Sequence, residues 1–294
     1  MNKNSTIRLI TNLKEFAERN RVAKEFDEDD FISAFEQLSP FVTLVDIDFE
    51  NFEIVRSRST QRGLDFEHAS QMGYPPAQRV KLGRCNFEGQ SILYGSSNVE
   101  TSFLEIGFNE QEPCAVIAQF RLKHGAKLTL RPIGELDHCR RYRRSRLGTP
   151  GAAEQLGKLL DDLEHYDQTT RWYVDAYLAD FFSRIRNDTD ERNLYEVTSR
   201  IASALLMEEH VDGLIYPSVK HAGGLNFAIK PNVFDERFEI VKYALTATVY
   251  EHGYGLFEYF VHAEGNQLDP NGNFLFRTNP HFNARSTWPL SADQ

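Results

Sequence analysis

The chain has 294 residues, of which 41% are hydrophobic and 26% are charged, and its formal net charge is −10. This balance indicates a folded protein with a buried core and excludes an intrinsically disordered chain. The acidic charge repels phosphate backbones, so a nucleic-acid partner is not expected.

Residues 1–40 carry a helical pattern, in which apolar side chains recur at the spacing of one helix face. These side chains are Phe31, Ala34, Phe35 and Leu38. Asp29 or Asp30 is expected to cap this helix, and Ser39-Pro40 is expected to end it. We interpret residues 1–45 as a helical N-terminal extension that packs against the chain or binds a partner.

Residues 41–135 change to short segments rich in β-branched and aromatic residues, which predict strands. The segments are FVTLVDIDF, FEIVRSRS, SILYGSS, CAVIAQFRL and KLTLRPI. Between two of them, NVETSFLEIGF is either one short helix or a turn that leads into a strand.

Residues 136–205 are predicted to be helical, and we interpret 136–195 as an insertion. Thr149 is the expected N-cap of one helix, with Pro150 at its first position. Three apolar stripes predict core packing. They are Leu156, Leu159, Leu160 and Leu163; Val174, Tyr177, Leu178, Phe181, Phe182 and Ile185; and, on a helix at about 194–208, Leu194, Val197, Ile201, Ala202 and Leu205.

Residues 211–262 return to strand patterns, and NFLFRT follows them after a turn. The strand segments are DGLIYPSV, GGLNFAI, FEIVKYALTATVY and YGLFEYFVHAEG. The turn DPNGN at 269–273 begins like a calcium loop, but its twelfth position is Pro280 instead of Glu, so no metal site is expected. The tail after Asn279 has few periodic features. We therefore predict an α+β fold, with residues 46–294 forming one domain around a β-rich core.

Other features of the sequence indicate the compartment. Cys85, Cys114 and Cys139 are an odd number without paired spacing, which favours free thiols in a reducing compartment. No apolar stretch approaches the roughly 18 residues that cross a membrane. The first 20 residues are interrupted by Lys, Arg and Glu, unlike a secretory signal. We expect a cytoplasmic protein.

Charged and polar side chains on consecutive elements form the candidate site. Arg56 lies inside a strand pattern, where a charge is costly unless it faces water or a bound anion. Arg84 precedes a polar loop, Tyr94 ends the next strand, and Glu105 follows eleven residues later. Ser218 ends the strand GLIYPS.

These segments resemble the RES domain family, named for its Arg, Glu and Ser. Arg56 in FEIVRSR matches the first Arg of the family, although Arg58 on the same strand face is a rival for that place. GRCNFEGQSILYGSSNVETSFLE and DGLIYPSVKHAGGLNFAI are similar to its two other motif blocks. The likeness covers about 46–235. Cys85 departs from the aromatic residue that compact toxin members often have after Gly-Arg, and the extension and the insertion exceed their compact form.

The resemblance implies a fold like that of ADP-ribosyltransferases, with a twisted, mostly antiparallel sheet and flanking helices. It also implies cleavage of NAD as a substrate, with no other cofactor, by a toxin whose partner is an antitoxin protein. Glu105 would stabilise positive charge on the ribose, and two arginines, Arg56 and Arg84, would hold the pyrophosphate. Tyr94 would face the nicotinamide ring, and Ser218 would fix the pose.

Further members of the expected substrate site are Tyr216, before Pro217, and Asn226 at the start of the next strand. Three acceptors of the ADP-ribosyl group are left open: water, phosphate, or a macromolecule that would become ADP-ribosylated. A non-catalytic nucleotide-binding module is the remaining alternative. The basic run HCRRYRRSR at 138–146 is interpreted as a solvated loop, with contact to nucleic acid, to an acidic partner or to the NAD phosphates as the other options.

Overall fold

A computed structural model describes residues 2–60, 66–107, 114–147, 152–161, 163–186, 193–253 and 256–278. The chain divides into two compact units. Unit 1 comprises residues 1–47, 81–88 and 131–208, and unit 2 comprises residues 48–80, 89–130 and 209–294. Unit 1 is mainly helical, and unit 2 holds most of the sheet.

The helices of the described residues follow the chain in this order. They are α1 (Lys3–Val22), α2 (Glu28–Leu38), α3 (Val99–Ile106), α4 (Glu135–Tyr142), α5 (Ala152–Asp161), α6 (His165–Ser183), α7 (Leu194–Leu205) and α8 (Pro231–Arg237). Short 3₁₀ segments occupy Ser39–Phe41, Ala69–Met72 and Ala77–Arg79. Within the described residues, no helix combines the length and the apolar character that crossing a membrane requires.

The strands of the described ranges form one sheet of ten. They are β1 (Ile47–Phe49), β2 (Glu53–Thr60), β3 (Leu93–Ser96), β4 (Cys114–Leu122), β5 (Leu128–Pro132), β6 (Gly213–Pro217), β7 (Leu225–Ile229), β8 (Phe238–Gly253), β9 (Leu256–Gly265) and β10 (Arg277–Thr278). The order across the sheet is β1-β5-β6-β7-β3-β2-β4-β8-β9-β10, and the pairs from β6 to β10 are antiparallel. The predicted α+β class is confirmed.

The helices of unit 1 bury most of the described side chains of the predicted apolar stripes, and Phe35 and Leu163 are half-buried. Asp27, instead of Asp29 or Asp30, caps α2, because its carboxylate accepts the backbone N–H of Asp30 at 3.0 Å. Ile185 is 64% exposed, because α6 ends at Ser183 and the chain leaves the helical repeat before it. The predicted cap at Thr149-Pro150 lies outside the described residues.

The strands also depart from the predicted segments. The segment 41–49 forms a paired strand only at Ile47–Phe49, and a 3₁₀ turn that contains Pro40 ends at Phe41. Helix α8, with Pro231 at its first position, was absent from the predictions. The segment DPNGN is the expected turn: the carboxylate of Asp269 accepts the backbone N–H groups of Asn271 and Asn273. The tail after Asn279 lies outside the described residues.

The three cysteines carry thiols, as predicted. Cys85 and Cys139 are buried, and Cys114 is partly exposed on β4. Burial raises the pKa of the Cys139 thiol to about 12, so this group stays protonated and unreactive near neutral pH.

Candidate active site

A row of paired residues crosses four neighbouring strands of the sheet. Tyr216 on β6 lies opposite Asn226 on β7, Asn226 lies opposite Ser96 on β3, and Ser96 lies opposite Val55 on β2. Directly opposed residues point to the same face of a sheet. The polar side chains of Asn226 and Ser96 therefore share the face on which Val55 packs against helix α3.

Helix α3 carries the candidate carboxylate. Asn98 caps its start by accepting the backbone N–H of Thr101 at 2.8 Å, and Gly107 ends it in the left-handed conformation that glycine adopts readily. Val99 and Phe103 are buried in the core, and these contacts decide between the two predictions for this segment in favour of a helix. Glu105 consequently lies in the last turn of α3.

Two donors converge on a single oxygen of Glu105. The Ser218 hydroxyl and the Asn226 amide both donate to Oε1, each at 2.6 Å. Ser218 and Asn226 are 9% and 5% exposed, so water competes little for these bonds. Among the described residues, no hydrogen bond reaches the second oxygen, Oε2. Oε1 is thereby held in place by two hydrogen bonds, and Oε2 is left to interact with a ligand.

The Ser218 hydroxyl has no capacity left for a further bond. Besides donating to Glu105, it accepts the backbone N–H groups of Lys220 at 3.2 Å and His221 at 3.1 Å. A hydroxyl has one proton and two lone pairs, and all three are used here. In this arrangement Ser218 orients Glu105. Its predicted bond to the substrate would require one of these contacts to break.

Asn226 is oriented from its other end. The Ser96 hydroxyl donates to Asn226 Oδ1 at 3.0 Å, and Ser96 is only 5% exposed. Because the oxygen of the amide is held by Ser96, its nitrogen must point to Glu105. Ser96 was not predicted as a site residue, although its position two residues after Tyr94 on one strand was the available signal.

The loop that joins β6 to β7 packs along α3. The backbone N–H of Ser218 donates to the Gly224 carbonyl at 2.8 Å, which closes the loop. A Cβ atom on Gly224 would lie 2.5 Å from Thr101 Oγ1, so only glycine fits between loop and helix. Thr101 Oγ1 also forms a hydrogen bond of 2.7 Å with His221 Nδ1. Neither Thr101 nor His221 was predicted.

Arg56 and Arg58 form a pair of cations on β2. They alternate with Val55 and Ser57, which contact α3. A guanidinium nitrogen of Arg56 donates to the carbonyl of Tyr94, and Arg58 Nη2 donates to the Gly73 carbonyl at 3.0 Å. Both Nε atoms are buried without a hydrogen-bond partner, and no carboxylate of the described residues forms an ion pair with either arginine.

Burial, together with the neighbouring Arg58 charge, lowers the pKa of Arg56 to about 9, although the phenols of Tyr94 and Tyr216 act in the opposite direction. Arg56 remains charged at neutral pH, and no carboxylate of the described residues neutralises it. Tyr216 lies near Arg56 and also lies opposite Asn226 in the sheet. A buried guanidinium in this setting favours an anionic ligand.

Arg84 lies in unit 1, where it is 9% exposed. Its two terminal nitrogens donate to the carbonyls of Phe181 and Arg184 at 3.1 and 2.8 Å, and its guanidinium lies over the ring of Tyr195. These contacts cap the end of α6. A role of Arg84 in holding pyrophosphate stays a prediction, as does the stacking role of Tyr94.

A family model of the RES domain matches residues 54–246. This chain belongs to the RES domain family. The match covers about two thirds of the chain and includes all seven predicted site residues. No match was found among curated proteins or among solved structures. Membership is consistent, at a coarse level, with a domain that processes NAD.

Proposed function

We propose that this RES domain cleaves the bond between nicotinamide and ribose in NAD, with Glu105 as the catalytic carboxylate. One observation carries the proposal. Ser218 and Asn226 both donate hydrogen bonds to Oε1 of Glu105, whereas no hydrogen bond from the described residues reaches Oε2. A carboxylate held in this way is preorganised toward a single developing positive charge.

The chemistry follows from the charge of the substrate. When the bond between C1′ and the pyridinium nitrogen breaks, its electron pair goes to the nitrogen, and nicotinamide leaves as a neutral molecule. Positive charge then builds on C1′ and the ring oxygen, as in glycoside hydrolysis. Oε2 of Glu105 would stabilise that charge, and no acid is needed for the leaving group.

The complementary function that we propose for the arginine pair rests on Tyr216, which lies near Arg56 and opposite Asn226, the residue that bonds Glu105. NAD carries a pyrophosphate, and guanidinium groups bind phosphate oxygens through charge-assisted hydrogen bonds. Arg56 and Arg58 lack an acidic partner within the described residues and together present two positive charges. Binding of the pyrophosphate there would stabilise both charges, so we propose that both arginines contact it.

The biological role that we propose is that of a growth-inhibiting toxin, because loss of NAD stops central metabolism. Expression of the wild-type chain should then arrest growth and deplete cellular NAD, whereas a Glu105→Gln chain at equal abundance should do neither. Growth arrest by both chains would contradict this role. A protein that restores growth when it is co-expressed would be the antitoxin.

The enzymatic test is a time course of NAD loss by the purified protein, with and without inorganic phosphate. Glu105→Gln keeps an acceptor for Ser218 but removes the charge, and we expect cleavage to fall by about 10²- to 10³-fold. Glu100→Gln makes the same change in the first turn of α3 and is the matched control. Equal activity of the Glu105→Gln variant would refute the proposal.

Two further measurements complete that test: the identity of the products and the effect of replacing the arginines. Free ADP-ribose indicates hydrolysis, its phosphorylated form indicates phosphorolysis, and label retained on a macromolecule indicates transfer. Arg56→Ala and Arg58→Ala should each raise KM by roughly 10- to 100-fold, since a hydrogen bond to a charged group contributes about 1.5–3 kcal/mol. Arg121→Ala, on the exposed ion pair with Glu239, is the matched control.

A further inference from the structure

His221 is a titratable residue beside the candidate site that the proposed cleavage does not use. Its Nδ1 is fixed by Thr101 Oγ1 at 2.7 Å, and Thr101 is fully buried. The imidazole is partly exposed, and no hydrogen bond from the described residues reaches its other nitrogen, Nε2. An imidazole with one nitrogen held and the other open is suited to proton transfer.

The position of His221 relative to Glu105 follows from two shared contacts. The Ser218 hydroxyl bonds both the Glu105 carboxylate and the backbone N–H of His221, so a single oxygen atom separates them. Thr101 and Glu105 are four residues apart on α3, and residues at this spacing are neighbours on one helix face, about 6 Å apart. The imidazole is therefore held one helical turn from the carboxylate.

We propose that His221 accepts the proton of the molecule that attacks C1′ of the ribose. This inference rests on the proposed cleavage of NAD. The bond from C1′ to nicotinamide breaks with its electron pair on the nitrogen, and a lone pair of the attacking oxygen forms the new bond to C1′. The proton of that oxygen passes to Nε2, and the imidazolium then releases it to water.

In this assignment, Glu105 and His221 have different roles. Glu105 faces the developing positive charge through Oε2, and its Oε1 already carries two hydrogen bonds. For Nε2 to accept a proton, Nδ1 must carry the hydrogen and donate it to Thr101, which the contact between them allows. Thr101 is in this sense a positioning residue that holds the ring of His221.

The inference predicts which acceptors depend on His221. Water and alcohol acceptors carry a proton that must leave as the new bond forms, whereas azide and the phosphate dianion carry a lone pair that needs no deprotonation. A general base typically contributes 10²- to 10⁴-fold to a rate. Loss of His221 should therefore slow hydrolysis much more than the reaction with anionic acceptors.

The experiment compares wild type with His221→Asn, in which the amide can still bond Thr101 but the second ring nitrogen is gone. We expect hydrolysis to fall about 100-fold or more, reaction with azide to fall less than threefold, and added imidazole to restore part of the hydrolysis. His124→Asn, on an exposed turn of the same unit, is the control and should leave all three rates unchanged.

Unchanged hydrolysis in His221→Asn would overturn the inference, and so would an equal loss with water and azide that imidazole does not restore. If the variant does not fold, Thr101→Val provides the second test, because it keeps the imidazole and removes the hydrogen bond that positions it. Unaltered hydrolysis there would also overturn the inference. A wild-type protein that releases no nicotinamide would instead refute the proposed function itself.

Discussion

Replacing Asn226 with Asp tests whether the carboxylate of Glu105 must be charged. The amide nitrogen of Asn226 lies 2.6 Å from Glu105 Oε1, and the substitution would place a second carboxylate at that contact. Two negative charges that relax to about 4 Å repel by roughly 4 kcal/mol at an effective dielectric constant of about 20. This energy corresponds to about three pH units, so the pair will share one proton at neutral pH.

The shared proton removes about half of the negative charge that Glu105 offers to the ribose. We therefore expect NAD cleavage by Asn226→Asp to be strongly reduced at pH 6–7 and to recover as the pH rises and the second proton leaves. The assay is nicotinamide release at saturating NAD between pH 5 and pH 9.5. With azide as the acceptor, whose attack needs no proton transfer to His221, the wild type should lack this rise over the same range.

A matched control is available on α3. Asn98→Asp is the same chemical change, and Asp is an equally good N-cap, with its charge favoured at the start of a helix. This variant should keep the wild-type profile. If Asn226→Asp also keeps the wild-type profile, then either Asn226 does not contact Glu105 or the charge of Glu105 is not used, and the argument fails.

Three further changes have defined outcomes. Gly224→Ala should destabilise the chain by about 1–3 kcal/mol, measured by thermal unfolding, because its Cβ would lie 2.5 Å from Thr101 Oγ1. Ser96→Ala should lower kcat about tenfold with little change in KM, because the amide of Asn226 is no longer held by a donor. Burial raises the pKa of Asp175 to about 6 from 3.8, so its contribution to stability is full below pH 4 and is lost as the pH rises through 6. Asp175→Asn should therefore gain about 3 kcal/mol relative to wild type between pH 4 and pH 7.

These three predictions have their own controls. Gly157→Ala, on α5, places its Cβ in open space and should be neutral or stabilising. Asp180→Asn lies on the same helix as Asp175 but is 58% exposed, and its stability difference from wild type should not depend on pH in this range. An unaltered melting temperature in Gly224→Ala, a raised KM alone in Ser96→Ala, or a pH-independent difference in Asp175→Asn would each contradict the reasoning.

The sequence predicted the elements that packing periodicity determines and missed those that local capping determines. The stripe Leu194, Val197, Ile201 on α7 is buried as predicted, because the apolar spacing of a helix leaves little choice. The N-cap of α2 was misplaced by two or three residues within the acidic run 27–30, since its three aspartates all have suitable side chains. Only the backbone geometry at Asp27 distinguishes them.

The candidate site was likewise predictable only in part. The order of Arg56, Tyr94, Glu105 and Ser218 along the chain was enough to suggest a family, which the family model confirms. The contacts that fix Glu105 depend instead on strand register, which pairs Asn226 with Ser96. Register is set by long-range pairing and cannot be derived from the spacing of these residues in the chain.

Release of nicotinamide at an NAD concentration that saturates both wild type and Glu105→Gln measures the role of this carboxylate most directly. Binding of NAD by each protein is measured first, by calorimetry, so that a difference in release reports the chemical step alone. The account predicts that Glu105→Gln binds NAD with an affinity within about tenfold of wild type and releases nicotinamide at least 100-fold more slowly. Equal release by the two saturated proteins would contradict it.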